Sequence, residues 1–381
     1  MNNRISDLDA LRSIAFIFVL IAHSGNLFPE RLPKLEQFLE IAHGTFGVDL
    51  FFVISGYIIT HNLLPQLLQA IEEKQARKVI YSFWIKRIFR LWPAAWFWLA
   101  IMLFAVYFFN ESKAFGSIQA NIDATIAGIF HFANYRFATV FGRSEYGVSF
   151  VYWSLSLEEQ FYITLPLIIL IFRKKTTWIV ALIALVQLLT PRTSIFQVMF
   201  RTEAISIGIL IAIWQMSNHH SMDKLKKIII KINKKLMFIL LIIIFCILSM
   251  LSTPRLVMSS LGIIAITCGL VVTIASFNND TFIPYEPLKT LFFWVGERTY
   301  SIYIVHIPAY FTVREIFFRL DPNISLTPTI IAIYIFSAII LILSLAQISF
   351  KYIETPLRRR GAKIANSLLI PARKTEEQRN V

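Results

Sequence analysis

The chain has 381 residues, of which 56% are hydrophobic and 16% are charged, and its mean hydropathy is +0.64. A soluble protein of this length needs more polar surface than this composition provides, so we predict a multi-pass membrane protein. The formal net charge of +14 does not require a nucleic-acid partner, because membrane proteins concentrate Lys and Arg in their cytoplasmic loops.

Ten apolar segments are predicted to cross the membrane as helices, because backbone groups in lipid must be satisfied within the protein. In chain order they cover residues 13–28, 45–64, 91–109, 151–172, 176–190, 200–216, 236–252, 256–276, 291–313 and 326–350. A weakly apolar stretch, 122–134, is expected to be re-entrant or interfacial. With the N-terminus in the cytoplasm, most of the 37 Lys and Arg residues fall on the inner side, and so does the C-terminus. We predict an all-α membrane domain over 1–361 and a polar, disordered cytoplasmic tail over 362–381.

The first apolar segment, ALRSIAFIFVLIAHSG (10–25), contains two polar residues, Arg12 and His23. The interval between them is about three helical turns at ~100° per residue, so both side chains lie on one helix face. They are separated by roughly 16 Å along the axis, which places Arg12 at the cytoplasmic edge and His23 in the outer half of the membrane. The segment lacks a signal-peptide cleavage site, so we expect it to remain as an anchor.

Three later spans place ionisable side chains at a similar depth in the outer half of the membrane. They are Asp49 in span two, the adjacent Glu158 and Glu159 in span four, and His306 in span nine. Each residue alone is open to a structural interpretation as a hydrogen-bonded packing residue, and at most one of the two glutamates is expected to face the interior. Together they predict a His–carboxylate cluster, because buried charges must be paired. Such a cluster can act as a general base.

A second polar group lies in SFWIKRIFRLWPAAW (82–96), at the cytoplasmic edge of span three, where Arg87 and Arg90 share one helix face. One interpretation is a topology anchor with a tryptophan belt. The other is an anion site that also includes Arg12, because arginine forks bind phosphates in a bidentate manner. A substrate with a phosphorylated head and a long arm, such as acyl-coenzyme A, fits a path from these arginines to His23.

Six motifs occur in order along nearly the whole chain. They are Arg12 and His23 with ten residues between them, GTFGVDLFFVISGYIIT (44–60), the Arg-x-x-Arg of RIFRLWP (87–93), WSLSLEEQFYITLP (153–166), YSIYIVH (300–306) and YIETPLRRR (352–360). This series resembles the membrane acyltransferase family 3, which includes O-antigen and exopolysaccharide O-acetyltransferases and nodulation-factor acetylases.

The resemblance implies a ten-helix enzyme that transfers an acyl group, acetyl in the first instance, from cytoplasmic acyl-CoA to a hydroxyl of a cell-surface or lipid-linked saccharide such as lipopolysaccharide O-antigen. His23 is then the catalytic base and Arg12, Arg87 and Arg90 bind the donor. We expect Asp49 or Glu158 to orient the His23 imidazole, while direct transfer and an acyl-imidazole intermediate both stay open. The candidate pocket residues are Glu159, His306, Trp153, Ser154 and Tyr300.

A transporter that moves a proton or a solute along the same polar path is the alternative, because a buried His and carboxylates suit either function. The cytoplasmic arginines favour the enzyme, since a transporter needs no phosphate site there. We expect no metal and no bound cofactor, with acyl-CoA as co-substrate. The expected partners are acyl-CoA, a saccharide or glycolipid acceptor and membrane lipid, without nucleic acid, in the bacterial inner membrane. The chain ends soon after span ten, which predicts a stand-alone form without a fused esterase-like domain.

Overall fold

The structure is a computed structural model that describes residues 5–278, 282–283 and 286–369. Regular structure in this part of the chain is entirely helical. The helices are α1 (Ser6–Ala22), α2 (Pro33–Ile41), α3 (Phe46–Glu72), α4 (Ala76–Phe108), α5 (Ile118–Ile129), α6 (Ala133–Val140), α7 (Tyr152–Phe172), α8 (Thr176–Leu189), α9 (Ile195–Met199), α10 (Glu203–Ser217), α11 (His219–Lys231), α12 (Lys234–Leu251), α13 (Val257–Ser276), α14 (Glu286–Leu320), α15 (Pro328–Ser349) and α16 (Thr355–Ser367).

The predicted all-helical membrane architecture is confirmed, and a helix occupies each of the predicted spans. Within the described ranges, six helical stretches are long and apolar enough to cross a membrane. They are Phe46–Glu72, Ala76–Phe108, Ile195–Ser217, Lys234–Leu251, Val257–Ser276 and Pro328–Ser367. Helices α1 and α8 have only 17 and 14 residues, and α7 and α14 include the polar residues of the candidate site. The number of ten spans and the cytoplasmic position of the termini therefore stay predictions.

The stretch 122–134 is divided between α5 and α6, which are too short to span a bilayer. Its re-entrant or interfacial position stays a prediction. One boundary differs from the sequence prediction. Helix α16 continues through Ser367, into the stretch predicted as a disordered tail, because Ala365 is fully buried. The part of the predicted tail from 370 onward lies outside the described residues.

Helix α1 packs between α3, α13 and α14, and its Leu11 and Ala15 have no exposed surface. Glycines on two neighbouring helices allow this close packing. A Cβ atom added at Gly47 of α3 would collide with the carbonyl oxygen of Ala15, and one added at Gly296 of α14 would collide with the backbone of Asp9. Small residues at a helix contact let backbones approach closely in membranes. The helix that contains Arg12 and His23 is therefore held on two sides by backbone contacts.

A second close crossing joins α3 to α10. Gly56 of α3 faces the carbonyl group of Ile205, and Gly208 of α10 faces the carbonyl group of Val53, with no room for a Cβ atom at either glycine. This reciprocal arrangement is the small-residue packing typical of membrane helices. It fixes the position of α3, which contributes to both polar sites described below.

Candidate active site

The C-terminal end of α1 presents His23 to the protein interior. The helix ends at Ala22, and His23 is the first residue beyond it. Carbonyl groups at a helix end lack intrahelical partners. Here Tyr310 donates to the carbonyl of Leu20 at 3.1 Å, and the side-chain amide of Asn26 donates to the carbonyl of His23 at 3.0 Å. The backbone at this end of α1 is therefore held by side chains at Leu20 and at His23.

His23 contacts His306 of α14 directly. The Nδ1 atom of His23 lies 3.0 Å from Nε2 of His306, and Nδ1 of His306 lies 2.6 Å from the carbonyl oxygen of Tyr303. His306 is completely buried. Aromatic edges enclose the pair, with the Phe16 ring centre 5.9 Å from that of His306 and the Phe150 ring centre 5.4 Å from that of His23. The predicted catalytic residue and a candidate pocket residue thus form one hydrogen-bonded unit.

The structure gives Asp49 a different partner from the predicted one. Its carboxylate accepts two hydrogen bonds from Arg201, from Nε at 2.8 Å and from Nη2 at 3.1 Å. Both side chains are buried, and the indole ring of Trp153 lies 4.9 Å from the guanidinium carbon. Asp49 and Trp153 therefore belong to an ion-pair cluster, and the orienting contact to His23 comes from His306. Arg201 is absent from the residues predicted from sequence, although a basic residue near the start of an apolar span is a signal for it.

Both adjacent glutamates point into the protein, whereas the sequence predicts that at most one does so. Glu158 accepts hydrogen bonds from the hydroxyl groups of Ser55 and Tyr162. Glu159 is 6% exposed and accepts a hydrogen bond from the Trp92 indole at 3.2 Å. Neither carboxylate is hydrogen-bonded to a histidine in the described part of the chain. Glu158 is thus placed beside the arginines described next.

A cavity of about 120 Å³ brings the three predicted donor-binding arginines together. Polar side chains from α1, α3, α4, α7 and α14 face it, and they are Arg12, Ser55, Arg87, Arg90, Ser154, Glu158, Tyr162, Glu297, Thr299, Tyr300 and Tyr303. The cavity therefore includes Ser154 and Tyr300, which the sequence analysis names as candidate pocket residues. The sequence does not indicate that Tyr162 and Tyr303 belong to it.

The arginines of this cavity are not equivalent. The Nε atoms of Arg87 and Arg90 are buried and have no hydrogen-bond partner, and no carboxylate of the described residues forms an ion pair with either side chain. The Arg87 guanidinium lies 5.4 Å from the ring centre of Tyr162. Arg12 instead donates to Asp9 at 2.6 Å. Two partly buried cations without an ion-pair partner among the described residues are suited to an anionic ligand, because a charge removed from water needs a counter-charge.

The histidine pair does not line this cavity. Tyr303, one helical turn before His306, forms part of its wall. The Tyr303 hydroxyl donates to the carbonyl of Val151 at 3.0 Å and lies 2.6 Å from the Ser154 hydroxyl. Tyr303 therefore lies beside both the cavity and the histidine pair, because its ring centre is 5.5 Å from that of His306.

A larger cavity of about 900 Å³ is lined by residues of α1, α2, α14 and α15 and of the segment that joins α1 to α2. Its walls are almost entirely apolar, with Lys34 and Ser24 among the few polar members. Ser24 directly follows His23 in the chain. Helix α1 therefore contributes Arg12 to the polar cavity and the residues Phe16, Ile17, Leu20 and Ile21 to the apolar one.

A family model described as an acyltransferase domain, that of acyltransferase family 3, matches residues 5–347. The chain belongs to the acyltransferase 3 family. It is similar to the O-acetyltransferase OatA of Staphylococcus aureus (strain MRSA252), with 29% identity over 98% of this chain and 60% of that protein. It is also similar to the peptidoglycan O-acetyltransferase OatA of Listeria monocytogenes serovar 1/2a, with 27% identity over 94% of this chain and 56% of that protein. No solved structure matches it.

Membership in the acyltransferase 3 family confirms the resemblance drawn from the motifs and identifies the chain as an acyltransferase. The apolar helices make it a multi-pass membrane protein. The family and the names of the relatives favour the transferase interpretation over the transporter alternative. The chain spans about 60% of the length of the curated relatives it matches. The motif YIETPLRRR (352–360) lies beyond the matched residues.

Proposed function

We propose that this acyltransferase 3 protein is an O-acyltransferase of the bacterial cytoplasmic membrane. It transfers an acetyl group from cytoplasmic acetyl-CoA to a hydroxyl group of a cell-envelope saccharide. The names of its relatives support O-acetyl transfer, and the Listeria protein is named for peptidoglycan. Peptidoglycan fragments therefore join lipopolysaccharide O-antigen and lipid-linked saccharides as acceptors to test.

The observation that carries this proposal is the convergence of Arg12, Arg87 and Arg90 on one cavity, where the buried Nε atoms of Arg87 and Arg90 lack partners. Phosphate groups are the natural ligands of such guanidinium forks. A cavity of about 120 Å³ accommodates part of a CoA molecule only. The phosphates near the pantetheine arm occupy it in this proposal, and the arm extends past Tyr303 towards His23.

In the proposed reaction, the unprotonated ring nitrogen of His23 takes the proton of the acceptor hydroxyl as its oxygen attacks the thioester carbonyl. The carbon–sulfur bond then breaks, and the CoA sulfur leaves with the proton from His23. The acetyl group ends on the acceptor oxygen, and free CoA is released. An acetyl-imidazole on His23 is the alternative route, in which the acceptor attacks in a second step.

The donor site is tested by the double variant Arg87→Ala/Arg90→Ala, with Lys86→Ala as the matched control. Lys86 is the adjacent cation on α4 and does not line the cavity. Binding of CoA to purified protein is measured by calorimetry. The double variant is expected to weaken affinity at least about tenfold, because a hydrogen bond to a charged group contributes about 1.5–3 kcal/mol. Lys86→Ala is expected to bind as the wild type does.

Chemistry is tested on the same preparations with radiolabelled acetyl-CoA. Release of free CoA must depend on a saccharide acceptor, and His23→Ala must reduce that release by at least about 100-fold, as expected for loss of a general base. Unchanged CoA affinity in the double arginine variant would show that Arg87 and Arg90 do not bind the donor and act only as topology anchors. CoA release that is indifferent to every saccharide would contradict O-acyl transfer to a glycan.

A further inference from the structure

The contact between His23 and His306 determines which ring nitrogen of each residue holds a proton. A backbone carbonyl can only accept a hydrogen bond, so the contact of 2.6 Å between Nδ1 of His306 and the Tyr303 oxygen requires a proton on Nδ1. None of the described carboxylates forms an ion pair with either histidine, and a buried imidazolium needs such a partner. His306 is therefore neutral, and its Nε2 atom is an acceptor.

The second hydrogen bond follows from the first. Since Nε2 of His306 accepts, Nδ1 of His23 must be the donor in the 3.0 Å contact between them. The two ring centres lie 5.3 Å apart with only 19° between the ring planes. This geometry brings the rings together edge to edge in nearly one plane, where the lone pair of an imidazole nitrogen lies. A neutral His23 with its proton on Nδ1 has an unprotonated Nε2.

We propose that His306 is a positioning residue that fixes His23 in the tautomer with Nε2 free to take a proton. The proposal rests on the proposed role of His23 as the base. When His23 receives the acceptor's proton on Nε2, its Nδ1–H remains bonded to His306, so the ring keeps its orientation as it becomes charged. A carboxylate fixes the tautomer and orientation of many catalytic histidines, and here the neutral ring of His306 has that role.

The burial of the pair explains why a histidine suits this position. His306 has no exposed surface, and a carboxylate there would be an uncompensated charge whenever His23 is neutral. The carboxylates expected to take this role, Asp49 and Glu158, have their own donors in Arg201, Ser55 and Tyr162.

The tautomer can be measured on the unmodified protein. In ¹⁵N-histidine-labelled wild-type protein in lipid nanodiscs, solid-state NMR is expected to show His23 with a protonated Nδ1 and an unprotonated Nε2. The spectrum of a His23→Asn variant identifies the His23 signals. A proton on Nε2 of His23 would overturn the proposal, whatever reaction the enzyme catalyses.

Kinetics distinguishes positioning from packing. His306→Phe keeps a ring of similar shape without nitrogens, and it should lower kcat at least about 100-fold while KM for acetyl-CoA stays within about threefold. His306→Gln places an amide oxygen near the position of Nε2, so it should retain more than about a tenth of the wild-type kcat. Phe16→Leu loosens the packing against His306 without removing a hydrogen bond, and its kcat should stay within a few-fold of the wild-type value.

Three results count against the proposal. They are a His306→Phe enzyme with more than about a tenth of the wild-type kcat, a folded His306→Gln enzyme as impaired as His306→Phe, and a Phe16→Leu enzyme that loses as much as His306→Phe. If His306→Phe does not fold, the NMR measurement and His306→Gln still decide. A failure of the proposed function appears differently, as an active His23→Ala enzyme or as the absence of acyl transfer in the wild type.

Discussion

At the residue scale, charged side chains of the described helices differ in whether they have an ion-pair partner. Asp49 with Arg201 and Glu203 with Arg192 form close ion pairs, with N–O distances of 2.8 and 3.0 Å. Arg87 and Arg90 have no such partner among the described residues. A satisfied pair gains little from a ligand, whereas a partly buried guanidinium without an ion-pair partner gains a counter-charge. The distinction favours a structural role for the first group and supports the proposed donor-binding role of Arg87 and Arg90.

The Asp49–Arg201 pair gives a prediction at this scale. Asp49→Leu leaves Arg201 buried without its counter-charge and should destabilise the fold by about 3–5 kcal/mol, whereas Asp49→Leu/Arg201→Met should recover most of the loss. Thermal unfolding in detergent measures this cycle. Because Asp49 does not contact His23, the folded double variant should keep acyl transfer within a few-fold of wild type. A stable double variant with about 100-fold lower activity would instead assign Asp49 to the reaction.

At the scale of the elements, the crossing of α3 and α10 depends on glycine. A Cβ atom at Gly56 would meet the carbonyl of Ile205, which cannot move aside as a flexible side chain can. Gly56→Ala is therefore expected to destabilise the protein by about 1–3 kcal/mol. The control is Gly262→Ala on α13, where the nearest atom is the side-chain Cδ2 of Leu188 at 3.2 Å. Thermal unfolding should separate the two variants, and equal unfolding temperatures would show that the crossing tolerates a Cβ atom.

The helices could be predicted from sequence, because a long apolar segment in a hydrocarbon environment satisfies its backbone hydrogen bonds by forming a helix. The pairing of polar side chains between helices could not be predicted. Hydropathy places Asp49 and His23 at similar depth, yet Asp49 pairs with Arg201 and His23 with His306. Depth is one coordinate, and the choice of partner depends on which helices are neighbours and on their rotation about their axes. The glycines at the helix crossings cannot be distinguished in a hydropathy profile from the other residues of the apolar segments.

At the scale of the whole molecule, the motifs indicate the family, which the family model confirms. The path across the membrane inferred from the shared face of Arg12 and His23 stays a prediction. The arrangement of the cavities does not follow from the motifs. Tyr303 lines the arginine-lined cavity and also lies beside His306, with 5.5 Å between the ring centres, and a separate apolar cavity borders α1. This arrangement depends on the packing of several helices, since α1, α3, α4, α7 and α14 all line the first cavity.

The arrangement predicts that donor and acceptor reach the reaction from opposite sides of the membrane. Arg12 and His23 lie near opposite ends of α1, roughly 16 Å apart by helical rise, a distance that the pantetheine arm rather than a protein movement would cross. In proteoliposomes of a single orientation, checked by proteolysis of a C-terminal tag, acetyl-CoA on the side of the C-terminus should acetylate a saccharide enclosed on the other side. Exchanging the two compartments should abolish transfer, with Arg87→Ala/Arg90→Ala as the inactive control. Transfer that occurs only when both substrates are on the side of the C-terminus would show that the acceptor also enters from the cytoplasm, and the outer position of His23 would then be wrong.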